Sequence, residues 1–197
     1  GRYRSLDKEN KEFAEIRKDM EKHGWTTPED QRLLELLRDF YVDYDDIRSK
    51  MPIESLRNTN RNDLVNTYDN LNSILQTVKT AYPALYSSRK NIMYYFRKYA
   101  EPIIEDLDEK IRENERKQEQ EKNRQNLHAD MEKCGWIEKG DSEFIDCLFR
   151  AEQDDIDASF KMQLPTYRLC NTEKGNAQSM HRIFSELLNS LDKVPDE

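Results

Sequence analysis

The chain has 197 residues and a net charge of −8, with 37% charged and 36% apolar residues, enough apolar surface for cores built from one face of each helix. Five glycines and six prolines are too few for a loop-rich or all-β fold. No apolar run approaches the ~18 residues of a membrane span, no signal-peptide pattern opens the chain, and an acidic balance starts general nucleic-acid affinity at a disadvantage. Three scattered cysteines (Cys134, Cys147, Cys170) point to a reducing, intracellular setting, and Gly1 reads as a residue left by excision from a longer protein.

The first expected element is a helix over residues 7–23, with Phe13, Ile16 and Met20 at helical steps. Gly24 supplies a left-handed stop, Trp25 an apolar anchor, and Thr27 a cap for the next helix. Pro28 stands at that helix's first position and Asp30 is placed for a capping box. This helix runs to about Val42 and buries Leu33, Leu34, Leu37 and Phe40. Carboxylates at Asp43, Asp45 and Asp46 suit the start of a short helix over roughly 45–51, with Ile47 and Met51 inward and Pro52 as its stop. A loop through Leu56, Arg57, Asn58 and Thr59 then leads to a third helix over 60–78, striped by Leu64, Tyr68, Leu71, Ile74 and Leu75.

Residues 79–104 are aromatic and basic, and Pro102 interrupts their pattern. From Ile103 to Lys133 the chain reads as one long helix whose middle, Asn114 to Gln125, is polar all round, as in a solvent-bridging strut. The motif Asp19-Met20-Glu21-Lys22-His23-Gly24-Trp25 then returns 111 residues later as Asp130-Met131-Glu132-Lys133-Cys134-Gly135-Trp136. Phe144, Ile145 and Leu148 take the places of Leu33, Leu34 and Leu37. Asp154-Asp155-Ile156 repeats Asp45-Asp46-Ile47, and Leu169-Cys170-Asn171-Thr172 repeats the loop. Phe184 and Leu188 fall on Leu71 and Leu75, and His181 on Tyr68. One module is therefore present twice, at residues 25–78 and 136–194, each with a net charge of −4. Residues 1–24 form a leading helix and 79–135 a helical connector.

A tryptophan, an acidic pair, a leucine-rich first helix, a short second helix and a longer third one resemble the Myb/SANT family of homeodomain-like helix-turn-helix modules. The residues carrying this are Trp25 to Asp30 with Leu33 and Leu37, then Asp45-Asp46-Ile47, then Arg57-Asn58-Thr59 with Leu64, Tyr68 and Leu71. Trp25, Tyr44 and Tyr68 would fill the family's three aromatic core positions. The second copy keeps Trp136 but has Gln153 and His181 at the other two. The resemblance implies an all-α fold of two three-helix modules and a nuclear, chromatin-associated setting. Certain telomere proteins carry such copies in series. By analogy with the DNA-binding members, Arg57, Asn60, Arg61, Asn62 and Asn66 would face duplex DNA in the first copy. Lys174, Asn176, Gln178 and Arg182 would do so in the second. SANT-type members bind proteins instead, which the acidic modules fit better.

The run Tyr94, Tyr95, Phe96, Arg97, Lys98, Tyr99 holds more aromatic and cationic side chains than one helix face accommodates. It is expected to expose some of them as a partner or self-association interface, or as a stacking platform for single-stranded bases. Nothing points to catalysis or a cofactor. The histidines and cysteines lack zinc-ligand spacing, and Gly24, Gly135, Gly140 and Gly175 form no phosphate loop. His23 and Cys134 stand at equivalent positions and are expected to serve helix-end packing. The sequence thus reads as a non-enzymatic module for protein partners, a homodimer included, with duplex DNA as the alternative and no membrane.

Overall fold

The computed structural model describes residues 2–44, 48–49, 53–89, 91–157 and 166–191. It is all-helical, with no strand among the described residues. The chain divides into two compact units, Gly1–Asn114 and Glu115–Glu197.

Unit 1 contains α1 (Arg2–Lys22), α2 (Pro28–Asp43), α3 (Ile53–Arg57), α4 (Leu64–Ala81), α5 (Pro83–Ser87) and the first turns of α6 (Ile92–Lys133). Phe13, Ile16 and Met20 of α1 are fully buried in the same core as Trp25, Leu33, Leu34, Leu37 and Phe40. The expected boundary between a leading helix and a module at residue 25 therefore cuts through a core. An apolar stripe at this spacing cannot stand in water, and α1 is one wall of the unit.

Thr27 caps α2, its hydroxyl accepting from the Asp30 N–H at 3.1 Å. Only half of the expected capping box forms, because the Asp30 carboxylate turns inward instead. The short helix expected over 45–51 lies largely outside the described residues; Arg48 and Ser49 are helical. Where a loop was expected, α3 forms, inserting Ile53 and Leu56 into the core three residues apart. Burying each contributes about 2 kcal/mol, which outweighs the weak propensity of so short a helix. The third helix begins at Leu64 rather than residue 60. Asp63 caps it through the Asn66 N–H at 3.2 Å, and Asn60 to Asp63 form a turn closed by Asp63 N–H to Asn60 C=O at 2.9 Å. Asn and Asp compete locally for backbone partners, which moves the helix start beyond them.

Pro102 does not break α6, which runs unbroken from Ile92 to Lys133. Met93, Phe96, Ala100 and Leu107 are all buried in the core on either side of it. Holding both flanks offsets the ~3 kcal/mol that an interior proline costs. Residues 114–119 of the same helix are exposed throughout.

Unit 2 contains the last turns of α6, then α7 (Asp141–Asp157), α8 (Thr166–Cys170) and α9 (Ala177–Leu191). Its core joins Leu127 and Met131 of α6 to Trp136, Ile145, Leu148, Leu169, Met180, Ile183 and Leu187. The end of the expected connector is thus the wall that α1 supplies in unit 1. Asp154-Asp155-Ile156 does not open a second helix, as expected, but belongs to α7. Ala151, Glu152 and Gln153 are strong helix formers, so the helix carries on through them. As in unit 1, the loop expected at Leu169-Cys170 is helical, and Leu169 is buried.

The two units repeat their hydrogen bonds as well as their sequence. Trp25 N–H donates to Met20 C=O at 3.2 Å and Trp136 N–H to Met131 C=O at 3.1 Å. Arg61 N–H reaches His23 C=O at 2.8 Å and Lys174 N–H reaches Cys134 C=O at 2.8 Å. Gly24 and Gly135 both have φ of +95°, and a Cβ on Gly24 would lie 3.4 Å from Cβ of Arg61. Left-handed backbone costs an L-residue roughly 1–2 kcal/mol, so Gly24→Ala is expected to lower the stability of unit 1 by about that amount. Urea denaturation monitored by Trp fluorescence measures it; an unchanged midpoint would mean that the turn relaxes freely.

Candidate interaction surfaces

The turn after each tryptophan is clamped by a cation arriving from the segment before the last helix. In unit 1 the Arg61 guanidinium lies 5.3 Å from the Trp25 ring centroid and its Nε donates to Asp30 Oδ1 at 3.1 Å. Asp30 is fully buried, and its Oδ2 has no partner among the described residues. Trp25 Nε1–H donates to Thr59 C=O at 3.0 Å, and Gln31 Nε2–H to Trp25 C=O at 3.0 Å. In unit 2 Lys174 Nζ lies 5.4 Å from the Trp136 ring centroid, 2.7 Å from Asp141 and 3.2 Å from Glu138. The hydrogen bond to Lys174 holds the Asp141 carboxyl below the usual carboxylate range. Trp136 Nε1 has no partner among the described residues, and the ring stacks on Phe144 at 5.3 Å. Unit 2 keeps the other half of the capping box, with Glu138 N–H donating to Asp141 at 3.0 Å.

Six of the nine side chains expected to meet DNA are hydrogen-bonded within their own unit, two of them, Arg61 and Lys174, in these clamps. Asn60, Arg61, Asn62, Lys174 and Asn176 lie in turns before α4 and α9, not on those helices. Arg57 donates to Asp19 at 2.6 Å, and that bond lowers the Asp19 carboxyl. Asn60 accepts from Asn62 N–H, Asn66 donates to Asp63, and Asn176 accepts from Ser179 N–H. Gln178 and Arg182 stand exposed on α9. Of the expected aromatic core, Trp25 and Trp136 are buried, while Tyr44 and Tyr68 are half-buried against the core. At the paired helix ends, the His23 ring Nδ1 lies 2.6 Å from Asp19 C=O and the Cys134 thiol donates to Cys170 C=O at 2.8 Å.

The aromatic–basic run divides between core and surface. Phe96, expected at an interface, is fully buried, edge-on to Phe40 at 5.6 Å. Tyr99 is half-buried with Arg32 5.8 Å from its ring centroid. Arg97 lies 3.9 Å from the Tyr86 ring centroid, donates to Tyr86 C=O at 2.7 Å and pairs with Glu101. Tyr94 and Tyr95 are exposed, at 37% and 48%, in a T-shaped pair 5.4 Å apart. Beside Tyr94 opens a cleft of about 410 Å³ between Tyr86, Arg89, Arg97, Lys98 and Glu101.

Sequence reasoning missed a charged cluster joining α6 to α7. Asp146 is 2.6 Å from His128 Nε2 and 3.0 Å from Arg124, which also pairs with Glu121 at 2.8 Å. The only signal in sequence was His128 four residues after Arg124, which does not reveal a partner 18 residues on. Hydrogen bonding from His128, and then from Arg124, lowers the Asp146 carboxyl.

Removing Arg61 leaves a buried carboxylate unpaired. Arg61→Ala is therefore expected to destabilise unit 1 by about 3 kcal/mol. Lys174→Ala should cost unit 2 less, because Asp141 is 14% and Glu138 78% exposed where Asp30 is fully buried, so water can reach the carboxylates it leaves. Urea midpoints compare them; equal shifts would count against the burial argument. A carboxyl lowered by folding stabilises the folded state above its unfolded value, and that contribution is lost as pH falls through the folded one. Asp141, Asp146 and Glu186 are all lowered. The stability of unit 2 should therefore fall from about pH 4 downward, and less steeply in Asp146→Asn; thermal unfolding at pH 7, 4 and 3 checks the slope. No protein-family model, curated protein or solved structure matches the chain, and its function is argued from this geometry.

Proposed function

We propose that the chain is a non-enzymatic interaction module of a nuclear, chromatin- or telomere-associated protein, binding protein partners and associating with itself. The nuclear setting follows from the Myb/SANT resemblance. The protein-binding reading is carried by the way charge and aromatic surface are distributed. Arg57, Arg61 and Lys174 are each paired to the module's own carboxylates, so little positive field is left to draw in phosphate. Duplex DNA binding is disfavoured on that ground. Tyr94 and Tyr95 instead present a rigid pair of rings next to exposed Arg89 and Lys98, the residue types that anchor protein interfaces.

Two tyrosines seated on a partner surface account for much of an interface's energy, since truncating such an anchor costs about 2 kcal/mol or more. The full chain is expected to sediment as a concentration-dependent dimer, and Tyr94→Ser with Tyr95→Ser to shift it to monomer. Both side chains are exposed, so the fold should be unaffected by circular dichroism. A wild-type chain that stays monomeric at millimolar concentration would remove self-association through this patch.

A further inference from the structure

One side of α6 seats in the core of unit 1, and the other side carries a pattern of its own. Met93, Phe96, Ala100 and Leu107 are buried at steps of three, four and seven residues. Tyr95, Lys98, Pro102, Glu105 and Glu109 are exposed at steps of three, four, three and four. The helix is continuous through both sets. Tyr95, Lys98, Pro102 and Glu109 each follow a core residue by two, which is about 200° around a helix. They therefore form a stripe facing away from the core. The charges divide in the same way between residues 97 and 112. Arg97 pairs with Glu101, Asp106 with Lys110 and Asp108 with Arg112. Lys98, Glu105 and Glu109 form no ion pair among the described residues. All three lie on the outward stripe, the cation ahead of Pro102 and both carboxylates after it. A stripe in that order is complementary to its own reverse.

We propose that this stripe of α6 pairs antiparallel with the same stripe of a second copy, about a two-fold axis at Pro102. This rests on the reading of the chain as self-associating, and specifies which face is used and in which direction. In that register Lys98 meets Glu105 of the second copy, and Glu105 meets Lys98 in return, as a two-fold interface requires. Tyr95 reaches Glu109 of the second copy, where its phenol O–H donates to the carboxylate. Pro102 faces Pro102, and its compact ring lets the two helices approach, since side chains at the contact set the spacing. A parallel pairing would set Lys98 against Lys98 and Glu105 against Glu105, and like charges so placed repel. Charge therefore selects the direction. The exposed rings of Tyr94 and Tyr95 supply apolar area at each end of the contact.

Charge reversal in the full chain, read by sedimentation, tests the register. Lys98→Glu replaces two attractive contacts per dimer with two repulsive ones, and Glu105→Lys does the same. Each is expected to raise the dimer dissociation constant about tenfold, the scale of a few exposed ion pairs. A chain carrying both changes should dimerise like wild type, and so should an equimolar mixture of the two single variants. Residues 98 and 105 stand two turns apart on one helix, about 10.5 Å, so that recovery cannot come from a contact within one chain. Both side chains are exposed, and circular dichroism should show every variant folded. Single variants that dimerise like wild type, or a double variant as weak as either single one, overturn the antiparallel pairing. Loss of the wild-type dimer in the Tyr94 and Tyr95 variants would then still support self-association through the rings. A wild-type chain that stays monomeric removes both.

Discussion

Everything in each unit turns on one arrangement: a glycine at φ +95°, a tryptophan folded back under it, and a cation from the turn before α4 or α9 laid across the ring. The glycine lets the chain reverse within two residues. The tryptophan then links the helix before it to the helix after it, and the backbone bonds Arg61 N–H to His23 C=O and Lys174 N–H to Cys134 C=O tie in the last helix. Three segments distant in sequence meet at that point. In each clamp the cation meets both the ring and a carboxylate while partly shielded from water, which strengthens both contacts.

The same clamp settles what the surface has to offer. A cation in the turn before α4 or α9 can either hold the tryptophan turn or stay open to solvent. Here Arg61 and Lys174 do the first, each with carboxylates of its own module. What remains exposed carries charges of both signs, with large rings open at Tyr94 and Tyr95. Unit 2 carries the clamp with weaker parts. Its Trp136 lacks the indole hydrogen bond that Trp25 makes, and Lys174 stands in for a guanidinium. Stacking on Phe144 and a tilted ring contact with Phe184 supply apolar contact in its place.

Much of the interior was legible in the sequence. Phe13, Ile16, Met20, Leu33, Leu34, Leu37, Leu71 and Ile74 recur at helical spacing and are buried as that spacing requires. The surface was much less legible. Nothing in the run from Tyr94 to Tyr99 says that Phe96 turns inward to Phe40 while Tyr95 faces water; that depends on which side of α6 meets α2. The short helix α3 was hidden for a related reason. Ile53 and Leu56 are too few for a periodic signal, and the helix exists because the core has a place for them.

The sequence by itself determined most of the long helices, the glycine stops, the repeated motifs and the net negative charge of both copies. These follow from local conformational cost and from a hydrophobic period that any burial must respect. Only the tertiary structure decided that α1 and the end of α6 are walls of the two cores, that Arg61 and Lys174 are spent on tryptophan turns, and that Leu188 lies open where Leu75 is covered. Those outcomes depend on which distant segment arrives to pair a charge or cover a face. A residue's chemistry specifies what it can satisfy, and the fold determines which partner reaches it.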